Sequence, residues 1–186
     1  MNDTLRIIKE RRTTRRFKPE QLKDEDLQAI IEAGLYAPSA HNEQSWHFTV
    51  IQNADLIREL NLETKNAGKN SPVEFIRRMS NNEQLDIFYG APTIIIVSGQ
   101  DDALMPEVDC AAATENMFIA AESLEVGGCW NGLVAILFKE PLVEEYKRKL
   151  HIPEGYTPYY AAVFGYKEKK ISRALPRKEN KVQYIR

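Results

Sequence analysis

Cysteine and histidine are scarce in this chain, and positive charge is not in surplus. Two cysteines among 186 residues, Cys110 and Cys129, are too few for a disulfide framework and lack zinc-finger spacing. His41, His47 and His151 do not sit at metal-ligand spacing either, so no metal site is expected. A formal charge of −2 argues against general nucleic-acid affinity, which needs a basic surplus spread over a face. Neither G-x-G-x-x-G nor G-x-x-x-x-G-K-[ST] occurs, which removes both common phosphate loops. The longest apolar run, around "PTIIIVSG", falls far below the roughly 18 residues a membrane helix needs. The opening "MNDTLRIIKERR" mixes acid and base where a secretory leader would be apolar. A soluble, cytoplasmic protein with no membrane or nucleic-acid partner is the expectation.

What is present is local. "RRTTRRF" places four arginines in six residues of a chain that is otherwise balanced. Such a cluster is a solvated face, a nucleic-acid patch or a clamp for one small anion. Pro19 and the lost helical period imply an extended segment. Arg11, Thr13 and Arg15 then share one side, and Arg12, Thr14 and Arg16 the other. Arg11 and Arg15 can fork onto phosphate oxygens, with the Thr13 hydroxyl donating between them. Arg177 in "LPRKE" offers another guanidinium.

The length suits a single domain, residues 1–186. Short helices are expected in "TLRIIKERR" with Thr4 as cap and in "DEDLQAIIEAGLYA" with Asp24 as cap. Asn53 should cap a brief helix "ADLIREL", and Asp109 should open "CAAATENMFIAAESLEV", which Gly127 and Gly128 would close. "PLVEEYKRKL" is one more amphipathic helix. "HFTVI", "TIIIV" and "YYAAVFGY" read as strands. Residues 61–82 are polar and weakly patterned, a mobile excursion with a helical piece at "VEFIRRM"; taken to residue 90, it would lie near the active site. The tail "KEKKISRALPRKENKVQYIR" should be extended. Irregular spacing of strands and helices favours α+β over a doubly wound sheet.

No nucleophile or acid–base pair stands out. Ser39 lacks an elbow motif, and Cys129 has no base beside it. Ser39, Asn42, Gln44 and Asn131 can hydrogen-bond a polar heteroaromatic edge, with Trp46 or Trp130 packing on its rings. That set suits a protein that binds a cofactor and leaves the chemistry to it.

The segments "RRTTRRF", "APSAHNEQSWHFTVI", "GAPTIIIV", "DCAAATENMFIAAESLEVGGCW" and "AAVFGYKEKK…LPRK" occur in the order of the nitroreductase family, which the chain resembles over nearly its whole length except residues 61–82. The resemblance implies an α+β fold with a central, mostly antiparallel sheet flanked by helices, in an intertwined homodimer with FMN at its interface. It implies NAD(P)H as electron donor, a nitroaromatic, quinone or similar acceptor, and a ping-pong mechanism. A flavin-binding protein with little turnover, a store or sensor, is the alternative. By the same resemblance Arg11, Arg12, Thr13 and Arg15 bind phosphate, and Arg177 with Lys178 forms a C-terminal phosphate clamp. Pro38, Ser39, Ala40 and Asn42 reach the flavin held mainly by the partner. Trp130, Asn131, Gly132 and Leu133 form the turn at the flavin, with the Gly132 N–H near N5. Gln84 touches the pyrimidine edge. Thr13 stands where serine is commoner, and Ser45 where proline often precedes the tryptophan, which loosens that loop. The short "DDALMPE" leaves little room for the helical lid of larger relatives.

Overall fold

A computed structural model describes residues 2–139, 141–169 and 174–186. Four strands form its sheet: β1 (Trp46–Ile51), β2 (Thr93–Gln100), β3 (Val126–Asn131) and β4 (Tyr156–Tyr166). Their order is β1-β2-β4-β3, and every neighbouring pair is antiparallel. The helices are α1 (Asp3–Glu10), α2 (Asp24–Leu35), α3 (Ala54–Gly68), α4 (Glu74–Ser80), α5 (Pro106–Ser123) and α6 (Val143–Lys149). Short 3₁₀ segments cover Ala40–Asn42 and Leu133–Phe138.

Both faces of the sheet are covered, and this explains why its central strand shows no polar alternation. Ile95 and Val97 of β2 face one core with Ile30 of α2 and Met117 and Phe118 of α5. Ile94 and Ile96 face a second core with Leu60 of α3, Val134 and Leu137 of the 3₁₀ segment and Tyr146 of α6. A strand buried on both sides reads as an unbroken apolar run even when its neighbours are antiparallel. In β4, Tyr160, Ala162 and Phe164 join the first core, and Ala161 and Val163 the second.

The α+β architecture and the three expected strands are present; several local expectations are corrected. Asn2, not Thr4, caps α1, its Oδ1 accepting from Leu5 N–H at 2.9 Å. Lys23 occupies the cap of α2 without a side-chain bond, and Asp24 stands in the acidic first turn, where the helix dipole favours it. Asn53 does cap α3, but that helix runs on to Gly68, absorbing much of the expected irregular excursion. Leu60, Thr64 and Gly68 form its buried stripe at i, i+4 and i+8. Helix α5 starts at Pro106, so Asp109 lies inside its first turn and is buried. It ends at Ser123, after which Glu125 takes a left-handed φ of 60° and turns the chain. Gly127 and Gly128 therefore belong to β3, a strand hidden in the sequence because paired glycines imitate a helix stop. The tail from 174 has neither helix nor strand, and its residues 170–173 lie outside the described residues.

The arginine segment is extended and fastened to the edge of β3. Thr13 bridges Gly128 in parallel, the Thr14 N–H donates to Gly128 O at 2.9 Å, and the Lys18 N–H donates to Tyr166 O at 2.9 Å. Thr14 is buried, and its side chain occupies the space over Gly127. A Cβ on Gly127 would stand 2.7–2.8 Å from three Thr14 atoms, closer than side-chain carbons pack. Gly127→Ala is therefore expected to cost about 1–3 kcal/mol through overpacking, roughly 2–12 °C in Tm for a chain of this size. Pairing it with Thr14→Gly should return part of the loss; thermal melts of the two single variants and the pair check the coupling.

Candidate functional site

Where β3 ends, the chain leaves a cavity of about 220 Å³ lined by Arg15, Tyr89, Trp130, Gly132 and the α4 side chains Phe75 and Met79, among others. The cavity lies at the edge against which the arginine segment is laid. Arg15 reaches it with its guanidinium 5.7 Å from the Tyr89 ring centroid, within cation–π range. Tyr89 holds a left-handed φ of 59° before Gly90 at 72°. The Asp86 carboxylate fixes that turn, accepting from the Phe88 and Gly90 N–H groups at 2.9 Å each. Trp130 packs on buried Tyr160, ring centroids 4.3 Å apart, and on Phe118 at 6.0 Å, while remaining 41% exposed.

Within the turn after β3 the polar groups are divided. Asn131 is buried and occupied internally: its Nδ2 donates to Ile87 O, and its Oδ1 accepts from Leu133 N–H at 3.0 Å and Val134 N–H at 3.2 Å. Its side chain thus caps the 3₁₀ segment through Oδ1 and one Nδ2 hydrogen, while Asn131 lines the cavity beside Gly132. The Gly132 N–H, by contrast, has no acceptor among the described residues. Gly132 has an ordinary φ of −88°, and a Cβ there would meet nothing within 4 Å. Neither backbone conformation nor the chain's own packing demands glycine at this position. The open space and the free donor suit a planar ligand lying against the backbone, with a positive group, Arg15, on the same wall.

The other arginines diverge. Arg11 lies with its guanidinium 6.0 Å from the Phe118 ring centroid and its Nε 3.5 Å from Glu115. Arg12 turns back on α1, its Nη1 donating to Lys9 O at 2.9 Å, and its Nε is buried without a partner. That leaves Arg11 part-buried against Phe118 and Glu115, Arg15 exposed on the cavity wall, and Arg12 closing the helix before them.

The loop of Pro38, Ser39, Ala40 and Asn42 stands apart from this cavity. It leads into β1, the opposite edge strand of the sheet from β3. His41, Asn42 and Gln44 all have left-handed φ values, 49°, 59° and 50°, which non-glycine residues adopt at a cost. Ser39 Oγ accepts from the Gln44 N–H at 3.0 Å, and buried Asp109 accepts from the Ala40 N–H at 3.0 Å and Ser45 Oγ at 2.8 Å. Trp46 is a core residue, 7% exposed, which removes it as a partner for a ligand ring.

Gln84 is exposed in the turn after α4 and does not line the cavity. Arg177 and Lys178 are exposed in the irregular tail. Phe75, Met79 and Tyr89 escaped the sequence reading. The i, i+4 pair Phe75/Met79 in "VEFIRRM" was the visible signal, as was Asp86 four residues before Gly90. Both thiols are buried; desolvation raises Cys129 against the opposing effect of Arg15, and desolvation with Asp109 and Glu107 pushes Cys110 up to about 12. Neither is a ready nucleophile. No group of metal-ligating side chains occurs among the described residues, and none of their helices is long and apolar enough to cross a membrane.

Comparison with known proteins agrees with this fold. Residues 8–166 match the sequence model of the Nitroreductase family. A protein of Archaeoglobus fulgidus named NADH dehydrogenase/NAD(P)H nitroreductase is 31% identical over 166 residues, 89% of this chain and 86% of its own. A nitroreductase from Bacteroides fragilis, solved with bound FMN, superposes with a TM-score of 0.92 at 35% identity over 100% of both chains. A second FMN-bound nitroreductase, from Desulfitobacterium hafniense, gives 0.90 at 31% identity, again over 100% of both. The match spans both edges of the sheet, the arginine segment and the turn at Gly132, and the chain belongs to the nitroreductase family.

Proposed function

We propose that the chain, acting as a single FMN-binding domain in a homodimer, is an FMN-dependent oxidoreductase that passes electrons from NAD(P)H to a nitroaromatic, quinone or similar small acceptor in ping-pong order. The observation that carries this reading is the free Gly132 N–H beside an open cradle, with the Arg15 guanidinium on the same wall. When bound, FMN would supply the redox chemistry between donor and acceptor.

The chain's own residues bind, orient and polarise. The Gly132 N–H would face the redox-active edge of the bound flavin, where a pre-aimed backbone dipole would stabilise developing negative charge without rearrangement. Arg15 shares the cavity wall with Gly132, a place that suits the flavin ring better than its phosphate. Arg11 and Thr13 would hold the phosphate, with Arg177 and Lys178 of the tail closing over it. Arg12, already bonded to Lys9 O, would contribute mainly by fixing the end of α1. Trp130 offers an exposed ring edge, and Leu133 an apolar wall. Gln84 keeps the pyrimidine-edge role only if its turn swings toward the cavity.

The separation of the two site halves supports the homodimer. Pro38, Ser39, Ala40 and Asn42 sit at the β1 edge and the cavity at the β3 edge, so a loop that touches the flavin must come from a second copy. Exposed Leu175, Val182, Tyr184 and Ile185 give the tail an apolar surface to bury against such a copy.

Purified protein is expected to carry non-covalent FMN and to oxidise NADH or NADPH when a nitroaromatic or quinone is present, with parallel double-reciprocal plots. FMN binding without turnover would leave a flavin store or sensor. Titration of apoprotein with FMN and riboflavin separates the arginines. Arg11→Ala should weaken FMN by about one to two powers of ten, the loss of a charge-assisted bond, and leave riboflavin nearly unaffected. Arg15→Ala should weaken both flavins alike. Equal losses in Arg11→Ala would show that Arg11 supports the fold and not the phosphate.

A further inference from the structure

The loop from Ser39 to Gln44 is closed on itself by the Asn42, Glu43 and Gln44 N–H groups, which donate to Ser39 O, Ala40 O and Ser39 Oγ, but these bonds do not fasten it to the rest of the protein. Its side chains from His41 to Gln44 are exposed, and three of those four residues are left-handed without being glycine. What anchors both ends of the loop is a carboxylate beneath it. Asp109 is only 3% exposed, and its two oxygens go to opposite ends of the loop: Oδ1 accepts from the Ala40 N–H at 3.0 Å, and Oδ2 accepts from Ser45 Oγ at 2.8 Å. Ser45 is fully buried, and its carbonyl accepts from the Gln100 N–H of β2 at 2.8 Å, tying this end to the sheet. A second tie runs from the Leu104 N–H to Glu43 Oε2 at 2.8 Å. Burying a carboxylate is expensive unless its oxygens are bonded, so the two donors and the carboxylate define each other's positions. Asp109 stands in the first turn of an eighteen-residue helix, where the dipole favours its charge.

We propose that Asp109 is a positioning residue: acting through Ala40 and Ser45, it staples the loop so that Ser39 and Asn42 are presented to FMN held by the partner subunit. Ser45 then replaces the stiffness of a proline at that position with a bond to a buried acceptor. The proposal rests on the reading of this loop as a flavin contact. It goes beyond that reading by assigning a role to a buried acid that touches neither flavin nor substrate.

The test compares Asp109→Ala, Asp109→Asn and Ser45→Ala in the full-length protein, with FMN titration of apoprotein and amide hydrogen exchange as readouts. Asparagine can still accept from Ala40 and donate to the Ser45 hydroxyl, so Asp109→Asn should stay within about threefold of wild type in FMN affinity. Asp109→Ala and Ser45→Ala should each lose about tenfold. The double alanine variant should lose no more than Asp109→Ala alone, because both changes cut the same tie. Faster exchange should be confined to the amides of Ala40, Asn42, Glu43 and Gln44, which the loop bonds now protect. Accelerated exchange throughout α5 and the sheet, or unchanged FMN affinity with a loosened loop, would overturn the positioning role. Ser45→Ala removes one hydroxyl and keeps the test open should Asp109→Ala fail to fold. Wild-type protein that takes up no FMN would overturn the functional reading and the flavin part of this proposal. Exchange at the four loop amides would then decide the staple by itself.

Discussion

Thr14 lies over Gly127 with no room for a Cβ between them, and its N–H is bonded to the carbonyl of Gly128. This contact sets the register between an irregular segment rich in arginine and a strand that ends in Trp130 and Asn131. Because the segment is extended, fixing Thr14 also fixes which neighbours turn inward and which stay available. Arg15 consequently arrives one residue beyond the contact, on the wall of the cavity that Gly132 opens. Had the segment slipped by one residue, Arg16 would face the cavity and Arg15 would face away. The second bridge, Phe17 to Lys167, holds the far end of the segment against the same slip.

Part of the backbone strain falls at the two halves of the site, and the remainder, at Glu125, His151 and Asn180, lies elsewhere. Left-handed non-glycine residues occur at His41, Asn42 and Gln44 in one half of the site and at Tyr89 in the other. Each place is held by a carboxylate that accepts from backbone or hydroxyl donors: Asp109 under the first, Asp86 under the second. Unfavourable backbone conformations persist only where the surroundings over-determine them, and here two acids do so. Neither acid takes part in electron transfer in the proposed mechanism. Their contribution is to make two exposed turns rigid before any ligand arrives, which lowers the ordering cost of binding.

The sequence made the central strands plain, because "TIIIV" and "YYAAVFGY" are β-branched or aromatic and too short for anything else. It concealed β3, since Gly127 and Gly128 after a long helix look like a stop signal; they are glycines because Thr14 and Phe118 press on them. Such contacts are long-range, and no local pattern announces them. The same is true of Asp109, whose placement before an alanine-rich stretch mimics a helix cap while its oxygens bond residues 64 and 69 positions away. At the site, the arginine segment and the Gly132 turn were legible as residue types in order. Their separation was not, because whether Arg11 and Arg15 address one group or two depends on Phe118, Glu115 and Tyr89, which lie far off in the chain. Trp46 was hidden for a related reason: it has the chemistry to contact a ligand ring, but the core encloses it.

The account depends on one chain lending its Ser39–Asn42 loop to the cavity of another, and subunit mixing tests that directly. A Gly132→Val chain keeps a sound loop and has a blocked cavity; a Ser39→Ala, Asn42→Ala chain keeps a sound cavity and has a crippled loop. Each homodimer should bind FMN poorly. Co-refolded together, they form mixed dimers in which the sound loop meets the sound cavity once. The account predicts that FMN binding returns in the mixture, approaching one tight site per mixed dimer, measured by titration after separating the dimers by tag. A mixture that binds no better than the two parents apart would contradict a site shared between chains.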